Sequence, residues 1–205
     1  MARARGEFVQ AKDYYDQAIA MDRAVGGTNV RNENHAKTIL NRGNMSMRLG
    51  KHKEAKDYLE QSLDMFHTLY GGRDAKNVDI AVVLCSLGNL ARLDKDFGVA
   101  EDYFMQSLGM QFQLFGRDAK NSVIAETLYN IGLLQKDKDE YVSAKSYFDK
   151  ALGMMVGTMR DDSSKHPLVQ NVALELIKIE NDLEREPVRC WVPSMMGKKK
   201  PGGLL

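Results

Sequence analysis

Proline is scarce. The 205-residue chain has four, at 167, 187, 193 and 201, and the first 166 residues hold none, so nothing there forbids long uninterrupted helices. Cysteine is scarcer still: Cys85 and Cys190 stand far apart and supply no disulfide framework, which fits a reducing compartment. An excess of one charge is missing too. Twenty-nine Lys and Arg against 28 Asp and Glu leave +1, too little to draw the chain onto nucleic acid or a lipid surface. No apolar run approaches the ~20 residues that span a bilayer. The opening Met1-Ala2-Arg3-Ala4-Arg5-Gly6-Glu7 has a basic start with no apolar stretch behind it, unlike a secretory signal. Motifs of catalysis are also lacking: there is no Gly-x-Ser-x-Gly, glycine-rich phosphate loop or His-Glu-x-x-His. His35, His52, His67 and His166 come singly, without a second ligand at metal spacing, and read as surface residues. These absences predict a cytoplasmic, all-α, non-enzymatic protein that needs no cofactor or metal and binds neither membrane nor nucleic acid.

What the chain does have is an internal repeat. Ala11-Lys-Asp-Tyr-Tyr-Asp-Gln-Ala-Ile-Ala-Met21 aligns with segments 55–65, 100–110 and 144–154, their leading alanines 44, 45 and 44 residues apart. Gly43, Gly88 and Gly132 form a second column 12 residues upstream of Ala55, Ala100 and Ala144. Arg-Asp-Ala-Lys-Asn recurs at 73–77 and 117–121. Three columns with one period define a repeat unit.

Each unit reads as two helices. Ala55, Tyr58, Leu59, Ser62, Leu63 and Phe66 make an i, i+3, i+4, i+7 stripe, and Ala81, Leu84, Leu87, Gly88 and Ala91 make another upstream. Polar turns such as Asp94-Lys-Asp and Lys136-Asp-Lys-Asp-Glu separate them. The spacing predicts first helices (A) near 31–48, 77–93, 121–136 and 166–183, and second helices (B) near 7–24, 52–69, 97–114 and 141–158. The chain then divides into an N-terminal half-repeat of helix B alone (1–30), three units plus a final helix A (31–184), and a tail (185–205). A mid-helix glycine costs about 1 kcal/mol, so a recurring one implies a close helix contact that compensates. The expected contact is with the helix B carrying Ala55, Ala100 or Ala144, with Tyr58, Phe104 and Phe148 filling the space beside it. Tyr58, Tyr103 and Tyr147 complete the repeat signature. Methionines at 21, 65, 110 and 154 are read as core filler.

These residues carry a resemblance. Leu84, Leu87, Gly88, Ala100, Phe104 and Ser107 together resemble the signature of a tetratricopeptide repeat (TPR) array, over residues 6 to about 183. The 44-residue period exceeds the usual length of about 34 and is similar to that of kinesin light chains, whose His-Pro start of helix A is matched by His166-Pro167. Earlier units have Asn77 and Asn121 there. Arg42 replaces the Leu87 and Ile131 of its column, and Ile177 replaces the glycine. The heptad coiled coil through which kinesin light chains engage the motor is absent. Met1 falls inside a repeat, which leaves half-repeats at both ends. The resemblance implies an α-solenoid, a TPR superhelix of antiparallel helix pairs, with helices A lining a concave groove that takes an extended peptide.

Candidate peptide-binding residues are those on the helix A face away from helix B: Lys37, Asn41, Asn44 and Arg48; Val82, Ser86, Asn89 and Arg92; Glu126, Asn130, Leu133 and Lys136. Asn amides suit a peptide backbone, which needs both a donor and an acceptor. Arg48, Arg92 and Lys136 share a column and predict a cationic strip for acidic side chains. The carboxylate clamp of chaperone-binding TPRs needs a Lys one turn before an Asn, and Leu40 and Cys85 stand there instead. The tail holds the only Trp, Trp191, and Lys198-Lys-Lys-Pro201, a composition that predicts disorder, and it could dock in the groove. The expected function is a protein-interaction scaffold. The alternative is a structural segment that self-associates through its uncapped ends, or a fragment of a larger TPR protein.

Overall fold

The computed structural model describes residues 2–26, 32–117, 119–156 and 166–185. They form eight helices and no strand: α1 (Ala2–Gly26), α2 (Glu33–Arg48), α3 (His52–Leu69), α4 (Val78–Leu93), α5 (Phe97–Phe115), α6 (Ser122–Asp137), α7 (Tyr141–Val156) and α8 (Pro167–Arg185). The predicted A and B helices are found within a few residues of their expected bounds. Each helix packs on the next, most extensively in the pairs α2/α3, α4/α5 and α6/α7. The predicted all-α solenoid of antiparallel pairs is what forms. The basic tail from 186 lies outside the described residues.

The helix ends follow from side chains at fixed positions in each unit. Asn32, Asn77 and Asn121 each precede a helix A in extended backbone and accept a hydrogen bond from an amide of its first turn. That arrangement satisfies a donor the helix cannot satisfy itself. His166 takes over this duty before α8: Leu168 N donates to its Nδ1 at 3.2 Å, and Pro167 occupies the first helical position, where no N–H is needed. The A-to-B turns also repeat. Gly50, Lys95 and Asp139 all have left-handed φ, at 75°, 63° and 61°. The next amide, of Lys51, Asp96 or Glu140, then bonds back to Ser46, Ala91 or Gln135 O, which closes each helix as a Schellman motif.

The glycine column is where the pairs touch. A Cβ on Gly88 would lie 2.7 Å from the Phe104 ring, and one on Gly132 2.5 Å from Phe148. The partner of Gly43 is Leu59, at 3.0 Å, and not Tyr58 as the sequence reading had it. Tyr58 belongs one position earlier, in register with Tyr103 and Tyr147, and all three are half-buried. Ala55, Ala100 and Ala144 are fully buried. Ser62 and Ser107 tie the same helices by donating to Ala36 O (2.8 Å) and Ala81 O (2.7 Å).

Two other expectations change at the first unit. His35 is not a surface residue: it is buried, with Nδ1 2.7 Å from Asp22 Oδ2 of α1. Met21 is exposed, whereas Met65 is buried and Met110 and Met154 are half-buried. Arg42 is also buried, with Nε on Asp16 of α1, Nη1 on Ser46, Nη2 on Glu54 of α3, and its guanidinium 4.7 Å from the Tyr58 ring centre. The charge standing in an apolar column thus joins three helices.

Candidate functional site

Helix α2 lies against α4 and α4 against α6, while α3, α5 and α7 are held further apart. A stack that is tighter on one side curves toward that side, so α2, α4 and α6 form its inner wall. Their caps, Asn32, Asn77 and Asn121, set a common register. Eleven of the twelve candidate residues fall in four rows along that wall, and Arg48 stands one position out of the column of Arg92 and Lys136, so the expected three-residue column holds only two.

Hydrogen bonds and ion pairs separate them. In the row Lys37, Val82, Glu126, the Lys37 ammonium is 2.5 Å from Glu33 and 3.4 Å from Asp79 of α4; its hydrogen bond to Glu33 raises its pKa above the ordinary lysine value. Val82 packs half-buried on the core. Glu126 is exposed, yet the surrounding wall desolvates its carboxyl enough to raise its pKa, against the opposing pull of Arg48 two units away. In the row Asn41, Ser86, Asn130, Asn41 is exposed, Ser86 is buried, and Asn130 is buried with Nδ2 donating to Cys85 Sγ at 3.2 Å. Burial pushes the Cys85 thiol up to about 11, against hydrogen bonds from Asn130 and Thr127.

In the row Asn44, Asn89, Leu133, both asparagines are half-buried, and Asn44 Oδ1 is fully enclosed with no hydrogen-bond partner. Leu133 packs half-buried on the core. Arg92 and Lys136, with Arg48 beside their row, do not make an open cationic strip. Arg92 is paired with Asp137 of α6, and Lys136 with Glu175 of α8. Arg48 lies 5.3 Å above the Phe8 ring of α1. Two of the three cations are therefore neutralised by the following unit.

The sequence reading missed the counterions Asp79, Asp137 and Glu175, and the pairing of Asn130 with Cys85. In each case the partner lies 39 to 45 residues away. The signal available was an acid placed about one repeat period after a cation. Among the described residues no three His, Cys, Asp or Glu side chains form a cluster that could hold a metal, and no helix is long and apolar enough to cross a membrane.

Tetratricopeptide repeat family models match residues 34–111 and 125–154. No curated protein matches the sequence significantly. Among solved structures, BtubC (BKLC) from P. vanneervenii is similar over 99% of this chain and 81% of its own, with TM-score 0.60 and 17% identity. A putative kinesin light chain of Podosopora anserina with nearly identical TPR-like repeats is similar over 91% of this chain and 85% of its own, with TM-score 0.60 and 13% identity. At such identities the likeness is one of fold.

Proposed function

Since the chain belongs to the tetratricopeptide repeat family, whose arrays generally mediate protein interactions, we propose that it is a non-catalytic scaffold that binds an extended peptide segment of a partner protein along the inner wall of α2, α4 and α6. The observation that carries this reading is a set of three amides, Asn41, Asn44 and Asn89, none of which has a hydrogen-bond partner among the described residues. Asn44 Oδ1 is closed to water and has no donor, a cost in free energy that is relieved when the half-buried side chain turns outward to accept from a ligand N–H. A peptide backbone supplies donors and acceptors at regular intervals. The candidate set narrows accordingly: Asn130 is committed to Cys85, and Lys37, Arg92 and Lys136 to carboxylates. Asn41, Asn44, Asn89, Arg48 and Glu126 remain to read a ligand. The buried Cys85, free of any disulfide, supports a cytoplasmic setting.

The test is to select ligands from a displayed random-peptide library on the wild-type chain, then titrate the best peptide into the Asn41→Ala/Asn44→Ala/Asn89→Ala variant. Three lost hydrogen bonds at about 1 kcal/mol each predict an affinity loss of roughly a hundredfold. Unchanged affinity with an unchanged circular dichroism spectrum would place the site elsewhere.

A second reading, self-association, is favoured by Leu174 and Ile177, which stand 55% and 57% exposed on α8. Sedimentation velocity over a wide range of protein concentration separates the two. Peptide-free dimers that Leu174→Glu dissolves support self-association, and a monomer throughout removes it.

A further inference from the structure

The side of the stack opposite the inner wall has a feature of its own. Because α3 and α5 are held apart, α4 floors a cleft of about 720 Å³ between them. Ile80, Leu84 and Leu87 form its base. Leu63, Tyr103 and Met110 line its sides half-buried, and Met105 stands 53% exposed at the lip. Gly109 leaves the α5 wall open, since a Cβ there would meet nothing within 4 Å. A smaller cavity of about 130 Å³ shares Leu87 and Tyr103 and reaches Asp96 and Val99 at the opposite end. Together they form a furrow along α3, from the 94–96 turn to the 73–76 loop.

Its charges are unevenly divided. The α3 wall carries Glu60 and Asp64, with Lys56 at its Asp94 end and His67 next to the loop, and the α5 wall carries only the amides Gln106 and Gln113. In the loop at the far end, Arg73 and Lys76 flank Asp74. Glu60 approaches Lys56 no closer than 3.8 Å, and Asp64, Arg73, Asp74 and Lys76 make no ion pair among the described residues. These charges are available to a partner.

Shape and charge select the occupant. A furrow between two parallel helices, open to solvent, accommodates a third helix of about 10–12 Å diameter, which would pack on α4 as α3 and α5 do. Met105 and Met110 give the α5 wall an apolar surface that adapts to Leu or Met side chains. Acid on one wall and neutral amides on the other favour basic residues along one flank only. We propose that the α3–α5 furrow is a second binding site, which docks a cationic amphipathic helix of a partner protein with its apolar stripe on α4 and its Lys or Arg flank on Glu60 and Asp64.

The probe is a synthetic helical peptide of 18 residues, the length of α3, with a Leu/Met stripe and Lys along one flank. A control carries Glu in place of Lys. Binding to the full chain is measured by fluorescence anisotropy at low ionic strength. The Lys peptide is expected to bind at least tenfold tighter than the Glu peptide, and Glu60→Lys/Asp64→Lys to reverse that preference. Gly109→Trp, which fills the furrow from a position with room for a side chain, is expected to remove binding, and so is Met105→Lys, which replaces an exposed apolar contact by a charge that repels the Lys peptide. The triple Asn variant of the inner wall is expected to bind the Lys peptide as the wild type does. No measurable binding of the Lys peptide, equal affinity for both peptides, or unchanged affinity in both Gly109→Trp and Met105→Lys overturns the proposal. Loss of binding in the triple Asn variant alone also overturns it, by moving the peptide to the inner wall.

Discussion

Replacing Gly132 with alanine adds one methyl group to α6 where it meets α7. That carbon would lie 2.5 Å from Phe148 Cε1 and 2.7 Å from Cδ1, whereas carbon atoms rest about 3.5–4.0 Å apart. The ring would have to retreat by about 1 Å. Phe148 is fully buried and lies against Tyr129, with ring centres 5.6 Å apart, so it has little freedom to move. Overpacking of this kind costs about 1–3 kcal/mol, while alanine gains about 1 kcal/mol over glycine inside a helix. With a rigid ring as the obstacle we expect a net loss of about 1–2 kcal/mol, or roughly 2–8 °C in Tm for a chain of this size. Gly88→Ala meets the Phe104 ring at 2.7 Å and is expected to behave alike. Gly43 is the contrast within the same molecule. Its obstacles are Leu59 Cδ2 at 3.0 Å, Leu59 Cγ at 3.1 Å and the Ala55 carbonyl oxygen at 3.3 Å; a shift of a few tenths of an ångström clears them, so the propensity gain should leave Gly43→Ala about neutral. Urea denaturation followed by far-UV circular dichroism reads all three. Gly132→Ala as stable as the wild type, or equal shifts at all three glycines, would refute ring contact as the reason for the column.

Lys95 holds a left-handed φ of 63° in a turn where the first unit uses Gly50, so Lys95→Gly should raise stability by roughly 0.5–1 kcal/mol in the same denaturation assay. Arg42→Leu restores the apolar residue of its column but removes the link to Asp16; hydrogen exchange in α1 should accelerate at least tenfold while α4 to α7 stay protected. Burial pushes the carboxyls of Asp16, Glu54 and Glu175 upward, but Arg42 at the first two and Lys136 at the third outweigh it and hold all three below the ordinary range. Their stabilisation is therefore present above the unfolded pKa of about 4 and lost as pH falls through the lower folded values. The urea midpoint should drop below pH 4, by less in Arg42→Leu. Cys85 is buried with its thiol pushed up to about 11, so in a Cys190→Ser background a disulfide reagent at neutral pH should label it only after urea is added.

The chain order by itself determined the repeat and most of the architecture. Helix periodicity, the capping residues and the glycine column depend on neighbours within a few positions, and a fixed period of about 44 carries that local pattern from one unit to the next. Gly88 and Gly132 could be assigned to a helix contact because a mid-helix glycine is unfavourable unless something needs the space. Their partners Phe104 and Phe148 were legible as well. The partner of Gly43 was not, since Tyr58 and Leu59 differ by one position and only the crossing of α2 on α3 turns Leu59 toward Gly43.

Tertiary structure alone decided which polar residues of the inner wall remain available. On a single helix, Arg48, Arg92 and Lys136 look alike. Stacking brings Asp137 to Arg92 and Glu175 to Lys136, and buries Asn130 on Cys85. The furrow on the opposite side has the same origin: it exists because helices that touch on the inner wall must diverge on the outer one. Charge neutralisation and concavity are relations between units, set by the angle at which one repeat rests on the next, and no pattern within a repeat encodes that angle.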